Sequence, residues 1–563
     1  MEPRAINEQL SVSPQIAPND VHELAMLGFR SVICNRPDGE GADQPTFEEV
    51  EAAAKKAGLE ARYLPVVSGK VRDEDAKAFK AAFDELPKPV FAYCRTGTRS
   101  ATLWSLSQAG SLPVADILAS AKKAGYDMAG VVRRIVNGGR TPTETAEDAR
   151  FDVVIVGGGA AGISVASSLA SRKHGLNIAI IDPADVHYYQ PGWTMVGGGI
   201  FQAPETAKTM ASLIPAGVHW IKSAVAAFEP KDNAVVLDGC RVVKYDRLVV
   251  CPGLKLDWHK VDGLVDTLGR NGVTSNYRYD LAPYTWKLVQ NMREGRALFT
   301  QPPMPIKCAG APQKALYLSA DHWTRSGTIG NIDIQFMNAG GVLFGVKDYV
   351  PALMKYIERY NANLNYFHNL VAIDGQAKKA TFEVTAPEKG EPEKDARRVE
   401  VEFDMIHVTP PQTAPDFVRV SPLADAAGWV DVDQATLRHK TFDNIWSLGD
   451  VMNAPNAKTA AAARKQAPVV AENIVSDIDG HSAVAQYDGY GSCPLTVEKG
   501  KIVLAEFGYG GALLPSFPRW LIDGTKPSHT AWLLKERILP PIYWKAMLRG
   551  KEWMAKPEKV TAA

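Results

Sequence analysis

One segment constrains the fold more than any other: residues 151 to 172, FDVVIVGGGAAGISVASSLASR. An apolar run rich in valine and isoleucine ends in Gly157, Gly159 and Gly162, which have the spacing G-x-G-x-x-G and precede a helical pattern. Asp182 ends the next apolar run, NIAIID. This order predicts a dinucleotide-binding βαβ unit, in which the turn and the helix N-terminus hold a pyrophosphate and Asp182 binds a ribose hydroxyl. The alternative is a glycine turn that serves packing alone.

Size and composition limit the remaining choices. A chain of 563 residues is too long for one core, so three or four domains are expected. Lysine plus arginine equal aspartate plus glutamate at 63 each, which gives no indication of a nucleic-acid partner. The six cysteines are too few for a disulfide scaffold and lack zinc-ligand spacing, so no metal site is predicted. The N-terminus lacks a secretory signal pattern, and a cytoplasmic location is expected.

Alternating strand and helix patterns predict an α/β fold throughout. Residues 1–136 form a small α/β domain, and the polar residues 137–150 form a linker. A first dinucleotide domain has two parts, 151–261 and 430–480, separated by a second Rossmann-like domain at 262–429. Residues 481–563 form a C-terminal region whose composition shifts toward Trp, Leu, Pro and Lys.

The strand IWSLGD and the alanine-rich stretch after it resemble the second FAD motif of flavoproteins with two dinucleotide folds. The resemblance implies that Asp450, after Gly449, holds the ribityl and phosphate region of FAD. It also implies that the helix N-terminus near Lys458 faces the flavin ring, where its dipole stabilises negative charge. The alternative is a strand-end turn followed by a solvated lysine.

The place where such flavoproteins carry a second glycine turn for NAD(P)H is different here. After the predicted strand RALFTQ the chain reads PPMPIKCAGAPQK, which contains Cys308 and no glycine triplet. We therefore expect that the enzyme does not take hydride from NADH, and that a thiol beside the flavin carries out sulfur chemistry.

Seven motifs resemble sulfide:quinone oxidoreductases of the mitochondrial and bacterial type: IKCAGAPQK, FGVKDY, HVTPP, ADAAGWVDVD, AKTAAA, DGYGSCPL and AEFGY. The resemblance implies an FAD enzyme with a redox-active cysteine pair, Cys308 and Cys493, that takes sulfur from sulfide as a persulfide while the electrons pass to quinone. The alternative for each cysteine is a small buried packing residue. Cys251 is interpreted as a packing residue or a third thiol near the cofactor, and Cys34 and Cys240 as structural residues.

The C-terminal region alternates apolar residues and tryptophans with lysines and arginines, from FPRWLIDG to LLKERILPPIYWKAMLRGKEW. This composition is typical of interfacial helices, in which aromatic rings lie at headgroup depth and basic groups face lipid phosphates. We expect the region to dock on the inner face of the membrane and to admit quinone. A helix packed against the body of the enzyme or a second copy is the alternative.

The segment AYCRTGTRS presents Cys94, Arg95, Gly97 and Arg99 in the order C-R-x-G-x-R. Such a loop at a strand end can surround an anion with N–H groups and activate the thiol with guanidinium charge. Its six-residue length resembles rhodanese sulfurtransferases, and the surrounding sequence resembles the phosphatase-like domain of the beta-lactamase-hydrolase-like family. The resemblance implies that Cys94 accepts sulfane sulfur as a persulfide, held by the loop with Arg95 and Arg99. The alternatives are a cysteine phosphatase and a loop that only binds anions.

Together these observations predict a multifunctional, membrane-associated flavoprotein that oxidises sulfide, reduces quinone and transfers sulfur to a small acceptor such as a thiol or sulfite. The rival interpretations are an NADH:quinone oxidoreductase or other disulfide-type oxidoreductase, and a redox sensor that reports sulfide to a partner.

Overall fold

The computed structural model describes residues 3–42, 44–142, 149–385 and 396–559. The chain divides into two compact units. The first unit consists of Met1–Arg150, Ser223–Tyr245 and Asp416–Ala424, and the second of Phe151–Lys222, Asp246–Pro415 and Asp425–Ala563. The predicted linker at 137–150 lies partly outside the described residues, since 143–148 are among those not described, and a strand already begins at Ala149.

The first unit contains a five-stranded sheet in the spatial order Arg4–Asn7, Leu10–Ser13, Val90–Tyr93, Ser31–Cys34 and Glu60–Tyr63. All neighbouring strands are parallel except the first pair. The central strands are fully buried because helices cover both faces, as parallel sheets require. The helices are Asp20–Met26, Phe47–Ala57, Asp73–Glu85, Thr98–Ser107, Val114–Lys123 and Val132–Val136. The unit also includes the antiparallel strands Val225–Glu229 and Ala234–Leu237 and the short helix Asp416–Arg419.

The second unit contains the sheet that the glycine turn predicts. Its strands lie in the order Val218–Ile221, Ile178–Ile181, Ala149–Val156 and Val242–Val250, and Ile445–Ser447 pairs with the last of these. The helices Ala160–Arg172 and Ala460–Ile478 pack against each other beside it. The α/β class is therefore confirmed. The strand Ile445–Ser447 and the helix Ala460–Ile478, which come from a distant part of the chain, join this sheet and the helical layer beside it.

A second parallel sheet in this unit has the order Val273–Thr274, Met405–His407, Gly295–Gln301, Ile332–Asn338 and Asn363–Tyr366. The helices Ala282–Asn291, Ala311–Ser326 and Val350–Arg359 accompany it. An antiparallel sheet of His368–Asp374, Lys379–Val384 and Arg397–Glu402 follows. Shorter elements of the unit are Val186–Tyr188, Ala207–Thr209, Lys255–Leu256, Gln412–Thr413, Ala485–Gln486, Glu558–Lys559, and the helices Trp193–Gly197 and Leu264–Thr267.

The C-terminal region consists of a hairpin and short helices. The hairpin pairs Gly491–Glu498 with Lys501–Phe507, and the helices are His529–Leu533 and Leu539–Lys545, joined by a π-helical turn at Leu534–Ile538. Within the described residues, no helix combines the length and the apolar character needed to cross a bilayer.

The interfacial arrangement predicted for this region is wrong for several of its residues. Trp532 and Trp544 are buried at 3% and 8% exposure, and Lys535 is buried at 4%, because they pack inside the unit. Trp520 and Trp553 remain exposed at 84% and 60%.

Candidate active site

The glycine turn has the geometry of a phosphate-binding loop. Gly157 has φ +109°, a conformation that side chains rarely adopt, and a Cβ on Gly162 would lie 1.8 Å from the Gly157 carbonyl oxygen. A Cβ on Gly159 would meet no atom within 4 Å, so this position borders open space. The Asp182 carboxylate accepts a hydrogen bond from the Gly158 N–H at 2.6 Å. The turn, the start of the next helix and Asp182 therefore border one cavity, as a dinucleotide site requires.

The second predicted motif lines the same cavity. Gly449, at φ +78°, precedes Asp450, and burial raises the pKa of the Asp450 carboxyl although Lys307 and Lys458 oppose this effect. The Lys458 ammonium donates to the carbonyl oxygens of Asp450 and Met452 at 2.7 and 2.8 Å. Burial lowers the pKa of Lys458 to about 8. Lys458 is therefore a buried residue of the site, and the solvated alternative is wrong.

The cavity contains polar groups that fit a bound cofactor. Its volume is about 520 Å³. The Thr194 hydroxyl and both polar atoms of the Asn276 amide line it and are buried without a hydrogen-bond partner among the residues that the structure describes. Buried polar atoms are nearly always paired, so these groups indicate a ligand with donors and acceptors of its own. The phosphate loop on one side and the orphaned amide on another fit FAD.

Cys308 and Cys493 come together although they are far apart in sequence. Their sulfur atoms are 3.8 Å apart. Cys308 has the left-handed conformation φ +49°, and its N–H donates to the Lys458 carbonyl oxygen at 2.9 Å. The Tyr277 hydroxyl donates to the Lys307 carbonyl oxygen at 3.0 Å, which supports the same turn. These contacts hold the Cys308 sulfur at the cavity, whereas Cys493 lies behind it in the core.

Gly310 allows the two sulfur atoms to approach each other. A Cβ at this position would lie 2.6 Å from the Cys493 sulfur and 2.4 Å from Leu495. A glycine is required here by space and not by backbone conformation, since its φ is −87°.

The electrostatics of the pair distinguish its two members. The hydrogen bond from the Cys493 thiol and the Lys314 ammonium, 3.1 Å from the Cys308 sulfur, hold the pKa of Cys308 well below its ordinary value despite burial. The hydrogen bond to Cys308 and burial raise the pKa of Cys493. Cys308 is therefore the sulfur of the pair that loses its proton more readily, and Cys493 the one that keeps it.

A second lysine contributes to this charge distribution. Burial and the nearby Lys314 ammonium lower the pKa of Lys535 to about 7, while both cysteines oppose the shift. Burial alone would lower the pKa of Lys314, but the Cys308 sulfur raises it.

Sequence reasoning missed the roles of Lys314, Lys535, Asn276 and Tyr277. Lys314 lies in the motif IKCAGAPQK, in the first turn of the helix that follows Cys308. No local pattern distinguished the other three residues.

Cys251 lies directly under the glycine turn. Its sulfur is 3.6 Å from the Gly157 carbonyl oxygen, and burial raises its pKa. These properties favour the packing interpretation over a third reactive thiol.

The Cys94 loop forms its own site in the first unit. It connects the strand Val90–Tyr93 to the helix Thr98–Ser107, and the Gly97 N–H donates to the Cys94 sulfur at 3.1 Å. Arg99 is buried and donates to both carboxylate oxygens of Glu40, at 3.0 and 2.7 Å. Arg95 is exposed. The loop brings Cys94 and Gly97 together, whereas the Arg99 guanidinium donates to Glu40, which the sequence did not single out, and to the Val66 carbonyl oxygen.

Comparisons with known proteins cover both units. Residues 2–111 match the family described as beta-lactamase hydrolase-like protein, phosphatase-like domain, and residues 151–301 match the pyridine nucleotide-disulphide oxidoreductase family. A mitochondrial sulfide:quinone oxidoreductase of Dictyostelium discoideum is 42% identical over 407 residues, which are 72% of this chain and 87% of that protein.

Two further comparisons each match a different part of the chain. A beta-lactamase hydrolase-like protein of Agrobacterium fabrum is 36% identical over 130 residues, or 23% of this chain and 30% of that protein. The crystal structure of the sulfide:quinone oxidoreductase of Aquifex aeolicus has a TM-score of 0.59 at 20% identity, covering 72% of this chain and 92% of that one. The latter similarity concerns the fold.

Proposed function

The chain belongs to the sulfide:quinone oxidoreductase family, and from this premise we propose that it oxidises sulfide to sulfane sulfur and passes the electrons through FAD to a quinone. The observation that carries this conclusion is the pair Cys308 and Cys493, with sulfur atoms 3.8 Å apart at the edge of a dinucleotide cavity. The missing second glycine turn argues against NADH as the electron donor.

The charge distribution suggests which sulfur hydrosulfide attacks and which sulfur leaves as a thiolate. Hydrosulfide attacks the Cys493 sulfur of a disulfide between the two residues, so the S–S bond breaks, Cys493 becomes a persulfide and Cys308 leaves as a thiolate. Lys314 stabilises that thiolate, because its ammonium lies 3.1 Å from the sulfur. FAD, when bound, accepts two electrons and delivers them to quinone. The phosphate loop with Asp182 and the motif of Gly449, Asp450 and Lys458 would hold it.

The first experiment is anaerobic absorbance of the flavin on addition of sulfide, followed by a short-chain quinone. We expect bleaching by sulfide and recovery with quinone. Cys308→Ser and Cys493→Ser each abolish the bleaching, whereas Cys240→Ser, a cysteine of the first unit, retains it. Bleaching by NADH and not by sulfide would contradict the proposal.

We further propose that Cys94 accepts sulfane sulfur from a persulfide and passes it to a small thiol or sulfite. The supporting observations are the six-residue loop and the Gly97 N–H at 3.1 Å from the thiol sulfur. In the transfer, the Cys94 thiolate attacks the outer sulfur of R–S–SH, and R–S⁻ leaves as Cys94–S–SH forms. Cys94→Ser removes persulfide-dependent sulfur transfer and retains sulfide-dependent quinone reduction. Hydrolysis of aryl phosphates that depends on Cys94 would favour a phosphatase instead.

We also propose that the C-terminal region docks on the inner, cytoplasmic face of a membrane. Trp520 at 84% and Trp553 at 60% exposure lie among exposed basic residues, Arg519, Lys526 and Lys551. Sedimentation with vesicles that contain anionic phospholipid tests this surface. The double variant Trp520→Ser and Trp553→Ser should remain in the supernatant, and equal binding of variant and wild type would contradict docking through these residues.

A further inference from the structure

A buried polar cluster lies in the wall of the cavity, apart from the cysteine pair. Glu506 is only 5% exposed. The Tyr490 hydroxyl donates to one carboxylate oxygen of Glu506 at 2.6 Å, and the Ser516 N–H donates to the other at 3.1 Å. The hydroxyls of Tyr490 and Ser516 are 3.1 Å apart. All three residues line the cavity, and no step of the sulfide chemistry above uses them.

The hairpin separates this cluster from the reacting sulfur atoms. Ser492 pairs with Glu506 and Pro494 with Leu504, and these four residues line the cavity. Cys493 pairs with Ala505 between them, and both belong to the hydrophobic core. Because successive side chains of a strand point to opposite faces, the Glu506 side chain points to the cavity and not to the cysteine pair.

Part of the cavity wall is apolar. Leu504, Phe517, Leu534, Leu539 and Ile542 line the cavity with it. Reduction of a quinone consumes two protons with two electrons, and these apolar side chains supply no proton. A buried carboxyl connected to a hydroxyl is the kind of group that delivers protons in such a site.

On the basis of the proposed quinone reduction, we propose that Glu506, with Tyr490 and Ser516, delivers a proton to the quinone. As two electrons arrive from sulfide, one quinone carbonyl oxygen takes a proton through Glu506 and the other takes a proton from solvent, so quinone is reduced to hydroquinone and sulfide is oxidised. Tyr490 and Ser516 then return a proton to Glu506. Burial raises the pKa of Tyr490, so its hydroxyl stays protonated between transfers, and the half-buried Ser516 connects the cluster to solvent.

The charged groups around Glu506 leave it free of an ion pair. Across the described ranges, none of the ion pairs within 4.0 Å includes Glu506. The Lys465 ammonium lies 5.5 Å from the centre of the Tyr490 ring, and Arg464 lines the cavity. Lys535 lines the cavity as well.

Glu498 on the same hairpin provides a matched control. It is also buried, at 8% exposure, and also accepts a hydrogen bond from a tyrosine, Tyr356, at 3.2 Å. Arg359 and Lys501 neutralise it at 2.6 and 2.7 Å, and it does not line the cavity. Glu498→Gln therefore tests the loss of a buried carboxyl without loss of the relay.

The experiment separates the two half-reactions by stopped flow on the holoenzyme. We expect Glu506→Gln to bleach with sulfide at the wild-type rate but to reoxidise with a short-chain quinone about 100-fold more slowly, since proton donors of this kind contribute about 10²–10⁴-fold. Adding a small weak acid such as formic acid should restore the rate in proportion to its concentration. Glu506→Asp should recover much of the rate, and Tyr490→Phe should show a smaller loss. Glu498→Gln should reoxidise normally and show no dependence on added acid.

Two results would overturn the relay. One is reoxidation of Glu506→Gln at the rate of Glu498→Gln. The other is slow reoxidation that neither weak acids nor Glu506→Asp improve, which would indicate a structural role. A wild-type protein that sulfide does not bleach would refute the proposed function itself, and this result is seen before any variant is compared.

Discussion

Replacing Lys314 by methionine should raise the pKa of the Cys308 thiol and lower its thiolate fraction near neutral pH. The ammonium lies 3.1 Å from the sulfur. At that separation two unit charges interact by about 5 kcal/mol at an effective dielectric constant of about 20 and by about 1 kcal/mol at that of water. Losing this attraction removes stabilisation from the charged form, so the pKa of Cys308 should rise.

The pH dependence of alkylation measures this shift. Cys308 is partly exposed, so iodoacetamide can reach it in the reduced protein, and mass spectrometry identifies the labelled residue. In the wild type, labelling of Cys308 should stay fast from pH 8 to pH 6, since the lowered pKa keeps the thiolate. In Lys314→Met labelling should fall as the pH decreases over that range, because a raised pKa lowers the thiolate fraction.

Lys314→Arg is the matched control, because it keeps the positive charge and should keep the flat profile. Labelling of Lys314→Met that remains flat to pH 6 would refute the assignment of Cys308 as the thiolate stabilised by this lysine. The hydrogen bond from Cys493 would then be sufficient by itself.

Three further variants test other parts of the structure. Gly310→Ala should slow sulfide-dependent bleaching at least about tenfold with FAD still bound. The added methyl group overpacks the site at a cost of about 1–3 kcal/mol and separates Cys493 from Cys308. An unchanged bleaching rate would contradict this reasoning. Lys535→Met should raise the free energy of unfolding by about 3 kcal/mol more at pH 6 than at pH 9. The folded pKa of about 7 lies below the ordinary lysine value, so the cost of burying the charged ammonium decreases as the pH rises. Urea unfolding that shows the same increase in unfolding free energy at pH 6 and pH 9 would contradict this prediction. Gly97→Ala should destabilise the Cys94 loop by about 1–3 kcal/mol, because Gly97 has φ +86° and an added Cβ would lie 2.0 Å from the Tyr126 hydroxyl. Unchanged hydrogen exchange in the adjoining strand and helix would contradict this prediction.

Local sequence was sufficient for the features that depend on neighbouring residues. The turn at Gly157, Gly159 and Gly162 was predictable because only glycine fits a positive φ and a close approach of helix to strand. The parallel strands ending at Cys34 and Tyr93 were predictable because buried parallel strands are continuously apolar. The pairing of Cys308 with Cys493 came from family resemblance, since no periodicity connects residues so far apart.

Tertiary structure alone decided the features that depend on residues distant in the chain. The basic tail had the composition of an interfacial helix, yet Lys535 is buried near Lys314 and Trp532 packs in a core, because a helix face is defined by what covers it. The same holds for Glu506 and Glu498, which lie on one hairpin with similar tyrosine contacts. Only their neighbours in space distinguish a structural carboxylate from a proton donor: Arg359 and Lys501 pair with Glu498, whereas Glu506 lines the cavity with Tyr490 and Ser516.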